Sequence, residues 1–129
     1  MHNTNKLITI SVIEDSDIHR ILFCEKLSDS KKFTVVSQDK LGRAGVESVK
    51  KYQPNIVLLD FQLPDITGIE VSKRIKSHFN NIKILAVTAH TEKSIIEKFF
   101  NQHAWHIDFF IYDINLCCKN DFILCIAFN

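Results

Sequence analysis

The chain has 129 residues, 46% of them hydrophobic and 24% charged, which suits one globular domain of ordinary size with a real core. A formal net charge of +1, with no basic helix, gives no long-range attraction to nucleic acid or to anionic membranes. Direct binding to DNA and association with a membrane are therefore not expected of these residues.

Residues 1–6 form a short tail with no targeting pattern. Leu7 to Ile13 is an apolar run, interrupted by Thr9 and Ser11, that reads as a strand and stops at Glu14-Asp15. Ser16 is placed to cap a helix that ends near Asp29, with Ile18, Ile21, Leu22 and Glu25 at helical spacing along its packed side. Phe33 to Ser37 reads as a second strand and Ala44 to Tyr52 as a second helix, with Val46, Val49 and Tyr52 facing inward. Ile56 to Leu59 is continuously apolar between Pro54 and Pro64, the mark of a strand buried on both faces in a parallel sheet. Asp60 follows at its carboxyl end. A third helix spans Ile69 to Ser77, a fourth strand spans Ile82 to Val87 and stops at Thr88-Ala89, and a fourth helix spans Ser94 to His103 with Ile95, Ile96, Phe99 and Phe100 on its buried side.

Strands alternating with helices of this length predict an α/β fold with a parallel sheet and right-handed crossovers. In such sheets ligands bind beyond the carboxyl ends of the strands, where Glu14, Asp15, Asp60 and Thr88 would emerge together. Three carboxylates that close raise one another's pKa unless a cation joins them, and oxygen ligands favour a hard divalent ion, best of all Mg²⁺. Asp65 reads as a loop residue. His90, His103 and His106 lack a convergent ligand pattern and read as surface or loop residues. Cys24, Cys117, Cys118 and Cys125 show no metal spacing, which favours reduced thiols in a cytoplasmic protein. The apolar tail is broken by Asp108, Asp113, Lys119 and Asp121, so no membrane span is expected there.

Glu14-Asp15 after the first strand, the Leu58-Leu59-Asp60-x-x-Leu63-Pro64-Asp65-x-x-Gly68 stretch and Val87-Thr88-Ala89 after the fourth jointly resemble the response-regulator receiver domain of two-component signalling. The resemblance covers Leu7 to about Gln102. It implies a flavodoxin-like, CheY-like doubly wound sheet of five strands in the order 2-1-3-4-5, and the whole of residues 1–129 as one receiver domain. It implies that Asp60 accepts a phosphoryl group from a sensor histidine kinase or phosphotransfer protein. Glu14, Asp15, Asp60 and the backbone carbonyl of Gln62 would hold Mg²⁺, and Thr88 would bond a phosphoryl oxygen afterwards. Such a domain is a signalling module rather than an enzyme. The first strand and the aspartate loop resemble the subgroup that usually carries a helix-turn-helix output domain, and none follows within these residues.

The pattern departs from the family after Gln102. His103-Ala104-Trp105-His106 stands where a glycine-containing turn is usual. The lysine expected at the end of the fifth strand is replaced by Phe110, or by Tyr112 if Asp108 to Asp113 is aligned with that strand. The divergent segment 103–129 is read either as the product of an altered reading frame or as a genuine end that buries against a partner, with homodimerisation through this face as one outcome. These departures leave a second reading open, a truncated or switch-uncoupled receiver acting as a constitutive interaction module. A third, a metal-dependent phosphatase with Asp60 as nucleophile, needs an acid-base group two residues on, a role that Gln62 cannot fill.

Overall fold

The computed structural model describes residues 6–87 and 109–111. The elements alternate as β1 (Ile8–Ile13), α1 (Asp17–Asp29), β2 (Phe33–Asp39), α2 (Gly42–Tyr52), β3 (Ile56–Asp60), α3 (Gly68–His78), β4 (Lys83–Val87) and β5 (Phe109–Ile111). Every strand pairs in parallel, in the order β2-β1-β3-β4-β5. The expected order is found. The fourth helix expected over Ser94 to His103, and the segment 103–129 apart from β5, lie outside the described residues.

Both faces of the sheet are covered, and the strands show it in their sequence. Successive side chains of a strand point to opposite faces. Ile10 and Val12 of β1, Leu58 of β3, and Leu85 and Val87 of β4 pack with Phe23 and Leu27 of α1 on one side. Ile13, Val57, Leu59 and Ile84 pack with Val46 and Val49 of α2 and Val71 and Ile75 of α3 on the other. Continuous apolar runs are what such doubly covered strands require. Burying a side chain of the size of Phe23 contributes about 2 kcal/mol.

The packed side of α1 is not the one expected from its spacing. Ile18 is 78% exposed and Ile21 is 55% exposed, Glu25 is exposed too, and Phe23 and Leu27 are the buried pair. Apolar residues lie all round this helix, so periodicity does not single out a face. Its rotation is set instead at its first turn, where His19 and Arg20 bond to Glu14 and Ser16 Oγ accepts from the His19 N–H. Tyr52 is likewise 47% exposed rather than inward, at the last position of α2 with Lys51 Nζ over its ring.

β2 carries an extra residue. Ile10 pairs with Val35 but Ser11 pairs with Ser37, leaving Val36 as a bulge. The fully buried Ser11 hydroxyl is satisfied across this irregularity by the Ser37 hydroxyl, which donates to it at 2.6 Å. β2 therefore runs on to Asp39, beyond the Ser37 end expected for it. At the amino edge of the sheet, the N–H and hydroxyl of Thr9 both donate to Asn55 Oδ1, and the Asn55 N–H returns a bond to Thr9.

Candidate functional site

Parallel register decides which side chains meet at the carboxyl edge. Ile13 of β1 is paired with Leu59 of β3, so the next residues, Glu14 and Asp60, come off adjacent strand ends side by side. Asp15 follows before Ser16 starts α1. One ligand oxygen from each of Glu14, Asp15 and Asp60 lies within 4.8 Å of the others, and among the described residues these three form the one such group. Glu14 is buried at 5% exposure, Asp60 is partly buried and Asp15 is exposed. Glu14 is thus not a solvated strand end, and Asp60 is less open than an edge position suggests.

Burial raises the Asp60 carboxyl first, and contact with Glu14 and Asp15 adds to it, so that its pKa is pushed up to about 9 although the Gln62 N–H works the other way. Burial also raises Glu14. A set of three carboxylates, two of them desolvated and all of them oxygen donors, carries more negative charge than it can hold without a proton or a cation. That donor set fits a hard divalent ion such as Mg²⁺.

The loop after Asp60 is fixed at several points. Phe61 N–H donates to the Val87 carbonyl (3.1 Å), and Gly68 N–H donates to the Phe61 carbonyl (3.0 Å). Gln62 N–H donates to Asp60 Oδ1 (3.1 Å), which orients the carboxylate from its own chain. Thr67 caps α3 by accepting from the Glu70 N–H (3.1 Å). Gly68 is required here, because a Cβ would lie 2.7 Å from the carbonyl oxygen of Asp60 and 3.0 Å from Phe61. The Asp-to-Gly spacing of the sequence is therefore the length of a loop that folds back onto the backbone of its own acid.

Asp65 is a loop residue, as read from the sequence, but it has a definite partner. Its carboxylate accepts from the Gly42 N–H (2.7 Å) and the Arg43 N–H (2.9 Å), so it caps α2 from another loop. Slight burial pushes this carboxyl up, yet the backbone N–H groups of Arg43, Gly42 and Ile66 outweigh it and hold the pKa below the ordinary value. Leu41, at the N-cap position itself, makes no side-chain bond to the helix. α2 can begin at Gly42 rather than Ala44 because the cap arrives from a distance.

The structure brings Glu14, Asp15 and Asp60 together and sets the Gln62 backbone beside Asp60. Thr88 lies outside the described residues, as does Tyr112. Of the two positions considered for the lysine, Phe110 is paired with Ala86 inside the β4–β5 ladder, one residue short of its end. Two polar neighbours of the site were not singled out in the sequence. His19 Nδ1 lies 3.2 Å from Glu14 Oε1, and Arg20 Nη1 donates to the Glu14 carbonyl at 3.0 Å while its other nitrogen pairs with Asp17. Lys40 also reaches Asp17 (2.9 Å), drawing the start of α1 to the end of β2. The available signal for His19 was its position five residues after Glu14, on the first turn of the helix that follows.

Residues 10–116 match the model of the response regulator receiver domain. The chain belongs to the response regulator receiver family. It is 30% identical over 94 residues to the transcriptional regulatory protein DegU of Brevibacillus brevis, covering 73% of this chain and 39% of that one. It is 30% identical over 107 residues to a protein-glutamate methylesterase/protein-glutamine glutaminase of Natronomonas pharaonis, covering 83% of this chain and 30% of that one. The chain thus spans less than half the length of these curated relatives. Among solved structures, the signal receiver domain of the putative response regulator NarL from Mycobacterium tuberculosis superposes with a TM-score of 0.72 at 25% identity, over 82% of this chain and 83% of that one. The receiver family accounts for the doubly wound fold and for an acidic pocket at its carboxyl edge. No helix among the described residues of this receiver is long and apolar enough to cross a membrane.

Proposed function

We propose that this receiver accepts a phosphoryl group on Asp60 from a sensor histidine kinase or phosphotransfer protein, in a Mg²⁺-dependent relay. The observation that carries the reading is the convergence of Glu14, Asp15 and Asp60 on the one strand edge where the loop also orients the Asp60 carboxylate through the Gln62 N–H. Glu14, Asp15, Asp60 and the Gln62 carbonyl are the residues that would hold Mg²⁺; when bound, the ion supplies the positive charge that keeps the carboxylates ionised and neutralises phosphoryl oxygens. Phosphoryl transfer needs mainly positioning and charge neutralisation. Ionised Asp60 is the nucleophile: its oxygen bonds to phosphorus as the nitrogen–phosphorus bond of the donor histidine breaks, and the electron pair stays with the imidazole. Gln62 keeps the attacking carboxylate in place, and burial by the loop limits access of water. Thr88 is the hydroxyl assigned to the phosphoryl group afterwards, on the strength of its place in the sequence. The role is that of a phosphoacceptor domain, not of an enzyme with turnover on a separate substrate, and a kinase donor implies a cytoplasmic setting. The expectation of no direct DNA binding concerns these 129 residues alone and rests on their charge; the DegU relative is by name a transcriptional regulator.

The test is uptake of beryllofluoride, a phosphoryl mimic, in the presence of Mg²⁺. The native chain should take it up, Asp60→Asn should not, and Asp15→Ala should lose most of its Mg²⁺ affinity. Uptake by the Asn variant would show that another residue is the acceptor. A second reading, a receiver uncoupled from its output and acting as a constitutive interaction module, is favoured by one sequence feature: neither Phe110 nor Tyr112 can supply the cation usual at the end of the fifth strand. Uptake that leaves Trp105 fluorescence and the oligomeric state unchanged would support that second reading.

A further inference from the structure

Glu14 is held at both ends of its residue by the first turn of α1. Arg20 Nη1 takes its main-chain carbonyl, and His19 Nδ1 lies 3.2 Å from Oε1 of its side chain. With Glu14 ionised, as it would be around a cation, its carboxylate only accepts, and the imidazole would then donate through Nδ1–H. The His19 ring is steadied against Phe23, with centroids 6.5 Å apart and planes tilted by 41°. Phe23 is itself 2% exposed and locked in the core, so the imidazole is backed by a rigid surface. His19 is not part of the group formed by Glu14, Asp15 and Asp60, whose oxygens alone come within 4.8 Å of one another. It acts on that group through Glu14.

One consequence is a matter of oxygen count. With Oε1 held by His19, the Glu14 carboxylate is not free to turn both of its oxygens toward one cation, and Oε2 is the oxygen left unrestrained. We infer that His19 is a positioning residue that makes Glu14 a one-oxygen ligand and so sets the preference of the acidic site for Mg²⁺ over Ca²⁺. This rests on the reading of the site as a Mg²⁺-dependent phosphoacceptor. Mg²⁺ takes a small octahedral shell in which carboxylates usually give one oxygen each, whereas Ca²⁺ takes six to eight oxygens and accepts carboxylates through both. A Glu14 released from His19 is free to turn and offer both, which favours the larger ion. Hydrogen-bond partners of metal ligands matter to affinity by about 10- to 100-fold, and a half-exposed imidazole belongs at the lower end of that range.

The test is calorimetric titration of the full chain with Mg²⁺ and, separately, with Ca²⁺, at one fixed pH above the ordinary imidazole range of about 6.5. His19→Phe keeps a ring against Phe23 and removes the donor. His19→Asn carries an amide N–H close to the place of Nδ1, and His19→Gln carries it near Nε2 instead. The expected result is that His19→Phe and His19→Gln bind Mg²⁺ about tenfold more weakly, Ca²⁺ changes by less than about threefold, and His19→Asn regains most of the Mg²⁺ affinity. Thermal melts of each variant report whether the fold is kept; His19→Asn and His19→Gln are of similar polarity, so their difference carries the test even if the Phe variant folds poorly. Unchanged Mg²⁺ binding in His19→Phe and His19→Gln, an equal loss for both ions, or an Asn variant as weak as the Gln variant would each overturn the inference. Failure of the native chain to bind Mg²⁺ would instead reject the phosphoacceptor reading beneath it.

Discussion

A methyl group on Gly68 would have nowhere to go, because what it meets is backbone: the Asp60 carbonyl oxygen at 2.7 Å and Phe61 at 3.0 Å. Gly68→Ala should therefore cost about 1–3 kcal/mol in urea unfolding and also weaken Mg²⁺ binding, since relief requires the acid's own loop to move. A loss of stability with Mg²⁺ affinity intact would show that the loop yields without carrying Asp60. At this scale the acids of the site were legible in the sequence. Each ends or follows an apolar run, and the Leu-Pro-Asp-x-x-Gly spacing marks the loop that follows Asp60. His19 and Arg20 were not legible, because their roles depend on how far α1 is rotated about its axis. The apolar residues on all sides of that helix leave the rotation open, and the bonds to Glu14 that fix it appear only in three dimensions.

Between elements, the Asp65 carboxylate accepts from the first two N–H groups of α2. It is joined by apolar contact, since a Cβ on Gly42 would strike Ile66 at 2.7 Å and Val71 at 2.8 Å. The loop that follows Asp60 is thus docked on α2. Asp65→Ala should lower stability by about 1 kcal/mol, the usual effect of a lost helix cap. Adding Leu41→Ser to that variant should restore the cap from within α2 and with it the melting temperature, but not the tie between loop and helix. If Mg²⁺ affinity falls with Asp65→Ala and stays low in the double variant, the tie serves the site; if it returns with stability, only the helix needed the cap. The start of α2 lay two residues outside its expected bounds for the same reason. A helix capped from 22 or 23 residues away carries no start signal in its own sequence, whereas α1 and α3, capped by Ser16 and Thr67, carry theirs.

Over the whole molecule, the pocket sets a dependence of stability on pH that a metal should flatten. Asp60 and Glu14 hold protons more tightly in the folded chain than in the unfolded one. The folded state therefore binds more protons between the ordinary carboxylate value of 3.8 for Asp60 and about 9, and that contribution, full at the acid end, is lost as the pH rises through this window. Asp65 works with the opposite sign: its lowered carboxyl contributes above the ordinary range and is lost on acidification. Metal-free melting temperature should fall from about pH 5 to about pH 9, and Asp60→Asn should raise stability at the alkaline end by about 1–2 kcal/mol. Saturating Mg²⁺, which binds the folded chain, should flatten the decline in the native protein but not in the Asn variant. A metal-free stability that does not change between these limits would contradict the burial of the acids.

The Thr9–Asn55 clamp and the acid pair close the two ends of one measured interval. Four residues of β1 and four of β3 lie between them, matched one to one from Ile10 and Ile56 to Ile13 and Leu59. The strands therefore act as two rulers with a common zero, and the distance between Glu14 and Asp60 is read off at the far end from where it is set. Neither strand can gain or lose a residue in that interval alone, because one step would carry its acid about 3.3 Å along the strand and turn it to the other face of the sheet. Between the clamp and the acids, β1 and β3 thus tolerate no change of length taken by one strand alone, and the spacing of the pocket is fixed by their shared register.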